Sequence, residues 1–400
     1  MTPEPERGPP FEQGVADHAP GALSGLVVAD FSRVLAGPLA TMMLGDLGAT
    51  VIKVEEPRRG DDTRAWGPPY VDGESTYYLS INRNKRSIAL DLQTTEGAAH
   101  ARTLAARADV VVENFRAGSL GRYALDYDSV ARGNPAVIYC SISGFGSGAG
   151  STLAGYDFIA QAVGGLMSIT GDEEGPPTRV GVAVVDILTG LHACIGILAA
   201  LAARGETGQG QRVEVNLLSS VIASLVNQGS AYANTGLVPQ AMGNRHPSVV
   251  PYQTFSTADG IIAVAVGNDS QFRTLCSLVG LPALGDDERF RVNAARVHHR
   301  TELIEALERA LSTDTAASWA VRLNEAGVPC GPINDLAGAF TLAETLELHP
   351  ITMMQSHAGA AIAQLSNPIR FSKTPPRYSL PPPTLGADGD AILQWLSAPP

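Results

Sequence analysis

The stretch Leu26–Glu55, L-V-V-A-D-F-S-R-V-L-A-G-P-L-A-T-M-M-L-G-D-L-G-A-T-V-I-K-V-E, decides the fold. Its start, Leu26–Asp30, is a short apolar run that reads as a strand. Ser32–Leu47 then carries a glycine-proline turn and the helical segment P-L-A-T-M-M-L-G-D-L, and Thr50–Glu55 is the next strand. A β-α-β opening within about thirty residues predicts a parallel sheet with helices on its faces. Its turn reads F-S-R-V-L-A-G-P, not G-x-G-x-x-G. The pyrophosphate fingerprint of dinucleotide enzymes is therefore absent, and a Rossmann-like sheet here need not bind NAD.

The alternation continues on the C-terminal side. Ser87–Leu92 reads as a strand, Glu96–Ala106 as a helix, Asp109–Glu113 as a strand ending at Asn114-Phe115, and Ala136–Ser141 as another strand. The expected fold is α/β: a Rossmann-like, doubly wound large domain with a smaller α+β domain. Such sheets bind ligands where strand ends run into polar loops, which makes Asn114, Phe115 and the loop Ser143–Ala149 candidates by position. The irregular segment Pro57–Asn84 is too long for a simple connection and is a further candidate. Gly155–Thr170 reads as a helix whose Gly164-Gly165 pair suggests close packing.

Then comes R-V-G-V-A-V-V-D-I-L-T-G, Arg179–Gly190. Val180–Val185 suggests a buried strand or extended approach, and Ile187–Ala203 a buried, apolar core helix. Asp186 stands between them, where an N-cap would stand. The polar loop Gly205–Gln211 leads to a strand, Arg212–Asn216, and a helix, Leu217–Ala231. Beyond that, Thr254–Ser256 and Ile261–Val266 read as a hairpin around Asp259-Gly260. We expect a disordered tail over 1–22, the large domain over 23–224, the small domain over 225–326, and a return to the large domain over 327–400.

Composition bounds the function. The 400 residues carry 44% hydrophobic and 17% charged residues, enough for a sizeable core, and a formal charge of −12. That balance argues against nucleic acid and against a membrane surface as partners. Local basic clusters at Arg58-Arg59, Lys85-Arg86 and Arg116/Arg122 could still serve one small polyanion. Four well-separated cysteines and eight histidines show no metal-ligand spacing, so no metal is expected. No basic-then-apolar leader opens the chain, and a cytoplasmic protein is expected. G-x-S-x-G, P-loop and H-E-x-x-H motifs are absent as well. The residues alone give an α/β enzyme with an unassigned carboxylate.

Ten blocks, in order, decide more. They are V-V-A-D-F-S-R-V-L-A-G-P (27–38), L-G-A-T-V-I-K-V-E (47–55), G-D-D-T-R-A-W-G (60–67), N-K-R-S-I-A-L-D-L (84–92) and A-D-V-V-V-E-N-F-R-A-G (108–118). After them come G-Y-D (155–157), G-I-L-A-A-L (196–201), T-G-Q-G-Q-R-V-E-V (207–215), G-V-P-C-G-P (327–332) and L-G (385–386). In these the chain resembles the class III CoA-transferase family, which includes formyl-CoA transferase, carnitine CoA-transferase and a racemase branch. The resemblance runs from Leu23 to Leu396. It implies an interlocked homodimer that takes an acyl-CoA donor and a carboxylic acid acceptor. It also implies Asp186 as nucleophile, and coenzyme A held by Ala36 with Leu35, by Leu90, by Asn114-Phe115 and by Arg122. By the same resemblance, an oxyanion-stabilising glycine loop falls at Gly243-Asn244.

An aspartate suits that role. With an ordinary pKa of about 3.9 it is ionised by roughly a thousand to one near neutral pH, a poor base but an always-available nucleophile. Two departures narrow the reading. Leu35 stands where formyl-CoA transferase has a glutamine, which argues against formyl or oxalyl groups. Tyr156 stands where the racemase branch has a histidine before the aspartate of G-H-D, and tyrosine, with an ordinary pKa of about 10, is a poor partner base. Transferase is thus favoured over an acyl-CoA racemase and over a CoA-binding protein without turnover.

Overall fold

A computed structural model describes residues 21–399, so most of the expected tail, residues 1–20, lies outside the described residues. Six strands, all parallel, form the central sheet: β1 (Val27–Asp30), β2 (Thr50–Glu55), β3 (Lys85–Ala89), β4 (Val110–Glu113), β5 (Ile138–Ser143) and β6 (Gln211–Asn216). Their order is β3-β2-β1-β4-β5-β6. Alternate residues face opposite sides, as the strand period requires. On one face Val27, Ala29, Ile52, Val111 and Tyr139 pack with the helix Thr95–Arg107 and the C-terminal helix Gly389–Ser397. On the other, Val28, Val51, Val110, Val112 and Cys140 pack against Ala36, Ala40 and Leu44 and against Ala193, Cys194 and Ile197. Helices on both faces make the sheet doubly wound, as read from the opening stretch.

Two helices on the second face position the site, α1 (Ala36–Asp46) and α2 (Val184–Thr207). Pro38 sits in the first turn of α1, where its missing N–H costs nothing. The two helices pack closely enough that a Cβ on Gly190 would lie 2.6 Å from the Ala36 carbonyl oxygen. Long and apolar, α2 has the length and hydropathy of a membrane span. Only one face is buried, through Val185, Thr189, Ala193, Ile197 and Ala200, while Ile195 is 63% exposed. The expected core helix thus packs into the core by this one face. The helix ends at Gly208, φ 69°, a left-handed stop that suits glycine.

Three further expectations change. Val180–Val185 forms no strand: the Val180 N–H donates to the Gln161 side chain at 2.9 Å, and helix begins at Val184. Gly155–Thr170 is not one helix: an α-helix over Asp157–Val163 stops at Gly164, and a short 3-10 turn follows over Met167–Ile169. A Cβ on Gly164 would lie 2.3 Å from Val221, so the close packing expected of the glycine pair is present. The helix expected over Leu217–Ala231 is two, Leu217–Ser224 and Val226–Thr235, broken where Val226 takes φ 39°.

The chain divides into two compact units. The first takes the residues up to Leu166, Val180–Gly236 and those from His349 on; the second takes Met167–Arg179 and Leu237–Leu348. Residues 225–236 therefore fall in the first unit and 327–348 in the second. In the second, β7 (Tyr252–Ser256), β8 (Ile261–Ala265) and β9 (Cys330–Pro332) form an antiparallel sheet, and pairing of Ile262 with Pro332 ties the later segment to it. Its core is Phe255, Ile262, Val264, Phe272, Leu275, Leu303, Leu307 and Trp319.

Candidate active site

The chain leaves β1 toward β2 on one side and returns through β4 on the other. The loops that follow β1 and β4 therefore diverge, and a crevice opens outside the strand ends between them. A cleft of about 260 Å³ lies there. It is walled by Arg33–Ala36 after β1, Asn114–Ala117 after β4 and Ile142–Gly146 at the end of β5. Asp62, the segment 150–156, Asp186 and Leu217 also line it.

The loop after β1 is held through its backbone by side chains. Ser32 N–H donates to Asp30 at 2.9 Å, and the Ser32 carbonyl accepts from the Lys53 ammonium at 2.9 Å. Asn114 accepts from Arg33 N–H at 2.9 Å and donates to the Arg33 carbonyl at 2.6 Å. Val34 N–H donates to Asp61 at 3.2 Å. Lys53 and Asp61 are a buried pair at 2.8 Å. Burial alone would raise the Asp61 carboxyl, but the Lys53 ammonium and Thr63 hold it below the usual carboxylate range. Within this clamp Val34 takes φ 70°, a conformation that a β-branched residue adopts only when its surroundings impose it.

Asp186 is the third residue of α2, not its cap: Ala183 is the N-cap position, and no side chain caps from there. The carboxylate that serves the helix end comes from Asp157. Its Oδ1 accepts from Val185 N–H at 2.8 Å and Asp186 N–H at 3.2 Å, and its Oδ2 accepts from Gln161 at 2.6 Å. A negative charge at a helix N-terminus is favourable, and Asp157 occupies that position. Asp186, half-buried, has no such bonds. Burial first, and the charge of Asp157 second, push its carboxyl up to about 7. Against the expectation of an always-ionised aspartate, the group holds its proton to higher pH than a free carboxyl does. Tyr77, from the irregular segment, is pushed up to about 12 by burial and then by Asp186 and Asp157.

The cleft brings together Leu35, Ala36, Asn114, Phe115, Tyr156 and Asp186. It does not include Leu90 or Arg122. Leu90 is 7% exposed in the core beneath the sheet, and Arg122 is exposed with its guanidinium over the neighbouring Tyr123 ring at 4.7 Å. Gly243 and Asn244 belong to the second unit. There Gly243 takes φ 61° and donates to the Gly171 carbonyl at 2.9 Å, and Asn244 donates to Thr254 at 3.3 Å. Sequence reasoning passed over Arg33, Asp62 and Asp157 as site residues, although each lies in one of the ten blocks. Among the described residues, no group of three or more His, Cys, Asp or Glu is placed to hold a metal ion. Two arginines and a half-buried carboxylate line one cleft.

The family described as CoA-transferase family III matches residues 23–389. The chain is 44% identical to succinate–glutarate CoA-transferase of Agrobacterium fabrum, over 99% of this chain and 98% of that one. It is also 44% identical to human succinyl-CoA:glutarate CoA-transferase, over 93% of this chain and 85% of that one. Among solved structures, a CAIB/BAIF family protein from Brucella suis superimposes with a TM-score of 0.83 at 42% identity, over 95% of this chain and all of that one.

Proposed function

The chain belongs to CoA-transferase family III and is a CoA-transferase enzyme, and from that premise we propose that it works through a covalent CoA thioester on Asp186. The ionised Asp186 attacks the carbonyl of an acyl-CoA, forming a mixed anhydride and releasing CoA thiolate. The thiolate attacks the aspartyl carbonyl of that anhydride, leaving an aspartyl-CoA thioester and the free donor acid. An acceptor carboxylate then attacks the thioester, giving a second anhydride and thiolate. Attack of the thiolate on the acceptor's acyl carbon yields the new acyl-CoA and frees Asp186. Each step exchanges one activated acyl group for another.

The observation that carries this reading is that Asp186, with a carboxyl near 7 and without a hydrogen-bond partner among the described contacts of its side chain, lines the switch-point cleft. First-turn N–H groups of α1, which no side chain caps, are donors for the oxyanions. For the donor we propose succinyl-CoA and for the acceptor a glutarate-like dicarboxylate, supported by 44% identity to relatives so named. The enzyme works as an interlocked homodimer, supported by apolar side chains left uncovered on neighbouring helices: Ile195 at 63%, Ile222 at 54% and Val226 at 72% exposure. A monomer by light scattering would count against the dimer.

The test is mass spectrometry of the protein incubated with succinyl-CoA. A CoA adduct, cleaved by hydroxylamine and absent from Asp186→Ala, is expected; its persistence in that variant would sink the mechanism. Racemisation at the α-carbon is the second reading, because a carboxyl near 7 also suits a proton acceptor. It predicts deuterium uptake at that carbon with no acceptor acid present.

A further inference from the structure

We propose that Asp61 is a positioning residue for the reaction: it holds Val34 in a left-handed conformation and so fixes where the first turn of α1 stands against Asp186. The proposal rests on the transferase reading. Asp61 is buried and is not among the residues that line the cleft, so it acts through another residue. Packing sets β1 between two strands and α1 against the sheet. Five residues, Phe31–Leu35, link the two, and the last three of them line the cleft with Ala36. The direction in which the chain enters α1 is decided in this link. Val34 takes φ 70° there, a value that a β-branched residue does not hold unaided. The Asp61 carboxylate accepts from its N–H at 3.2 Å.

Asp61 is itself held firmly. Its carboxylate accepts from the Lys53 ammonium at 2.8 Å, from Thr63 N–H at 3.0 Å and from the Thr63 hydroxyl at 2.8 Å. Its own N–H donates to Glu55 at 2.9 Å, and Glu55 in turn accepts from Arg64 at 2.8 Å and Ser87 at 2.7 Å. Lys53 and Glu55 are two residues apart on β2 and share one face of the sheet. Val34 is thus tied to a central strand. A buried ion pair is a poor source of net stability. This one gives a lone pair to the left-handed residue of the link. Ala36 follows two residues later, and its carbonyl abuts α2: a Cβ on Gly190, one turn after Asp186, would lie 2.6 Å from it. Because α1 has no side-chain cap, the N–H groups of Ala36 and Gly37 meet no acceptor among the described residues. A change of φ at Val34 swings these donors relative to Asp186 and leaves the helix that carries Asp186 in place.

Turnover of succinyl-CoA and glutarate by the full chain tests this in a double-mutant cycle. Asp61→Asn puts an NH2 group among donors that the carboxylate accepted, and the hold on Val34 is lost. We expect kcat to fall ~5–30-fold, the population a non-glycine residue gives up when nothing holds it left-handed, with KM for succinyl-CoA changed less than ~threefold. Glycine takes positive φ about as readily as negative. In the Val34→Gly background the same Asp61→Asn change is therefore expected to lower kcat only about twofold. Thermal unfolding of each variant separates loss of fold from loss of position. Should Asp61→Asn fail to fold, Val34→Pro carries the test: with φ locked at about −65° and no N–H for Asp61, it is expected to lower kcat at least as far. Wild-type kcat in Asp61→Asn at a lowered Tm, an equal fall in both backgrounds, or wild-type kcat in Val34→Pro overturns the assignment while the transferase reading stands. A wild-type chain that forms no CoA adduct with succinyl-CoA overturns the transferase reading itself.

Discussion

Asp157→Asn separates the two causes that raise the Asp186 carboxyl. Burial is the larger and Asp157 the second, and the substitution removes only the second. At the ~6 Å over which a neighbouring charge acts, Coulomb's law gives ~3 kcal/mol at an effective dielectric of ~20 and ~0.7 kcal/mol at ~80. At ~1.4 kcal/mol per unit, the Asp186 pKa falls by at least roughly half a unit, and by less than the share that burial contributes. The assay is kcat/KM against pH with succinyl-CoA and glutarate. A nucleophilic carboxyl acts as its anion, so the wild-type rate rises with pH through about 7. In the variant that acidic limb moves to lower pH, and the plateau drops somewhat because a less basic carboxylate attacks more slowly. The asparagine oxygen can still accept from Val185 and Asp186 N–H, but its NH2 then faces the Gln161 donor that Asp157 accepted at 2.6 Å. Losing that bond costs about 1.5–3 kcal/mol, visible as a lower Tm and independent of the limb's midpoint. An acidic limb that stays in place, or moves up, refutes the reasoning.

Two other substitutions probe the same framework. Because the folded Asp186 carboxyl lies at about 7 and the unfolded one at about 3.9, the folded state holds more protons between those values. Stability is therefore lost as pH rises through that window, and the loss is complete above it. Asp186→Asn, neutral throughout, should raise stability by up to a few kcal/mol at pH 8 and by little at pH 4, as read by urea unfolding; an equal gain at both would contradict the charge account. Gly190→Ala puts a Cβ 2.6 Å from the Ala36 carbonyl oxygen and forces α2 away from α1. We expect a loss of about 1–3 kcal/mol in stability and a fall in kcat larger than the change in KM, since Asp186 lies one turn before Gly190 on the same helix face. Wild-type kcat in a variant of lowered Tm would show that this contact does not position Asp186.

The sheet was legible because its signals are local. Val27–Asp30, Thr50–Glu55 and Val110–Glu113 are short apolar runs between turn residues, and a β-α-β spacing leaves few ways to pair them. Val180–Val185 has the same composition and is not a strand, because composition cannot say whether a neighbouring strand is there to accept its hydrogen bonds. Its first N–H goes instead to Gln161, nineteen residues earlier. Leu90 and Arg122, which the resemblance implies for coenzyme A, lie outside the lining of the cleft: Leu90 packs in the core, and the Arg122 guanidinium lies over the Tyr123 ring.

Asp186 does not cap its helix, and the cause is physical. Capping rules require an acceptor at the start of a long helix, and Asp186 was the nearest carboxylate in sequence. The acceptor comes from Asp157, 28 residues before Val185, and no local pattern could reveal a cap supplied from that distance. The difference bears on reactivity. Had Asp186 been the cap, three or so backbone and side-chain donors would have held its charge and blunted its attack. With Asp157 taking those donors, two carboxylates share one helix end and their environments part: one is fully bonded, and the other faces the cleft with its proton held near neutrality. Pairs set apart in this way are how one site acquires a reactive carboxyl and a fixed one. On the proposed mechanism, the reactivity of Asp186 is thus set as much by Asp157 as by its own position.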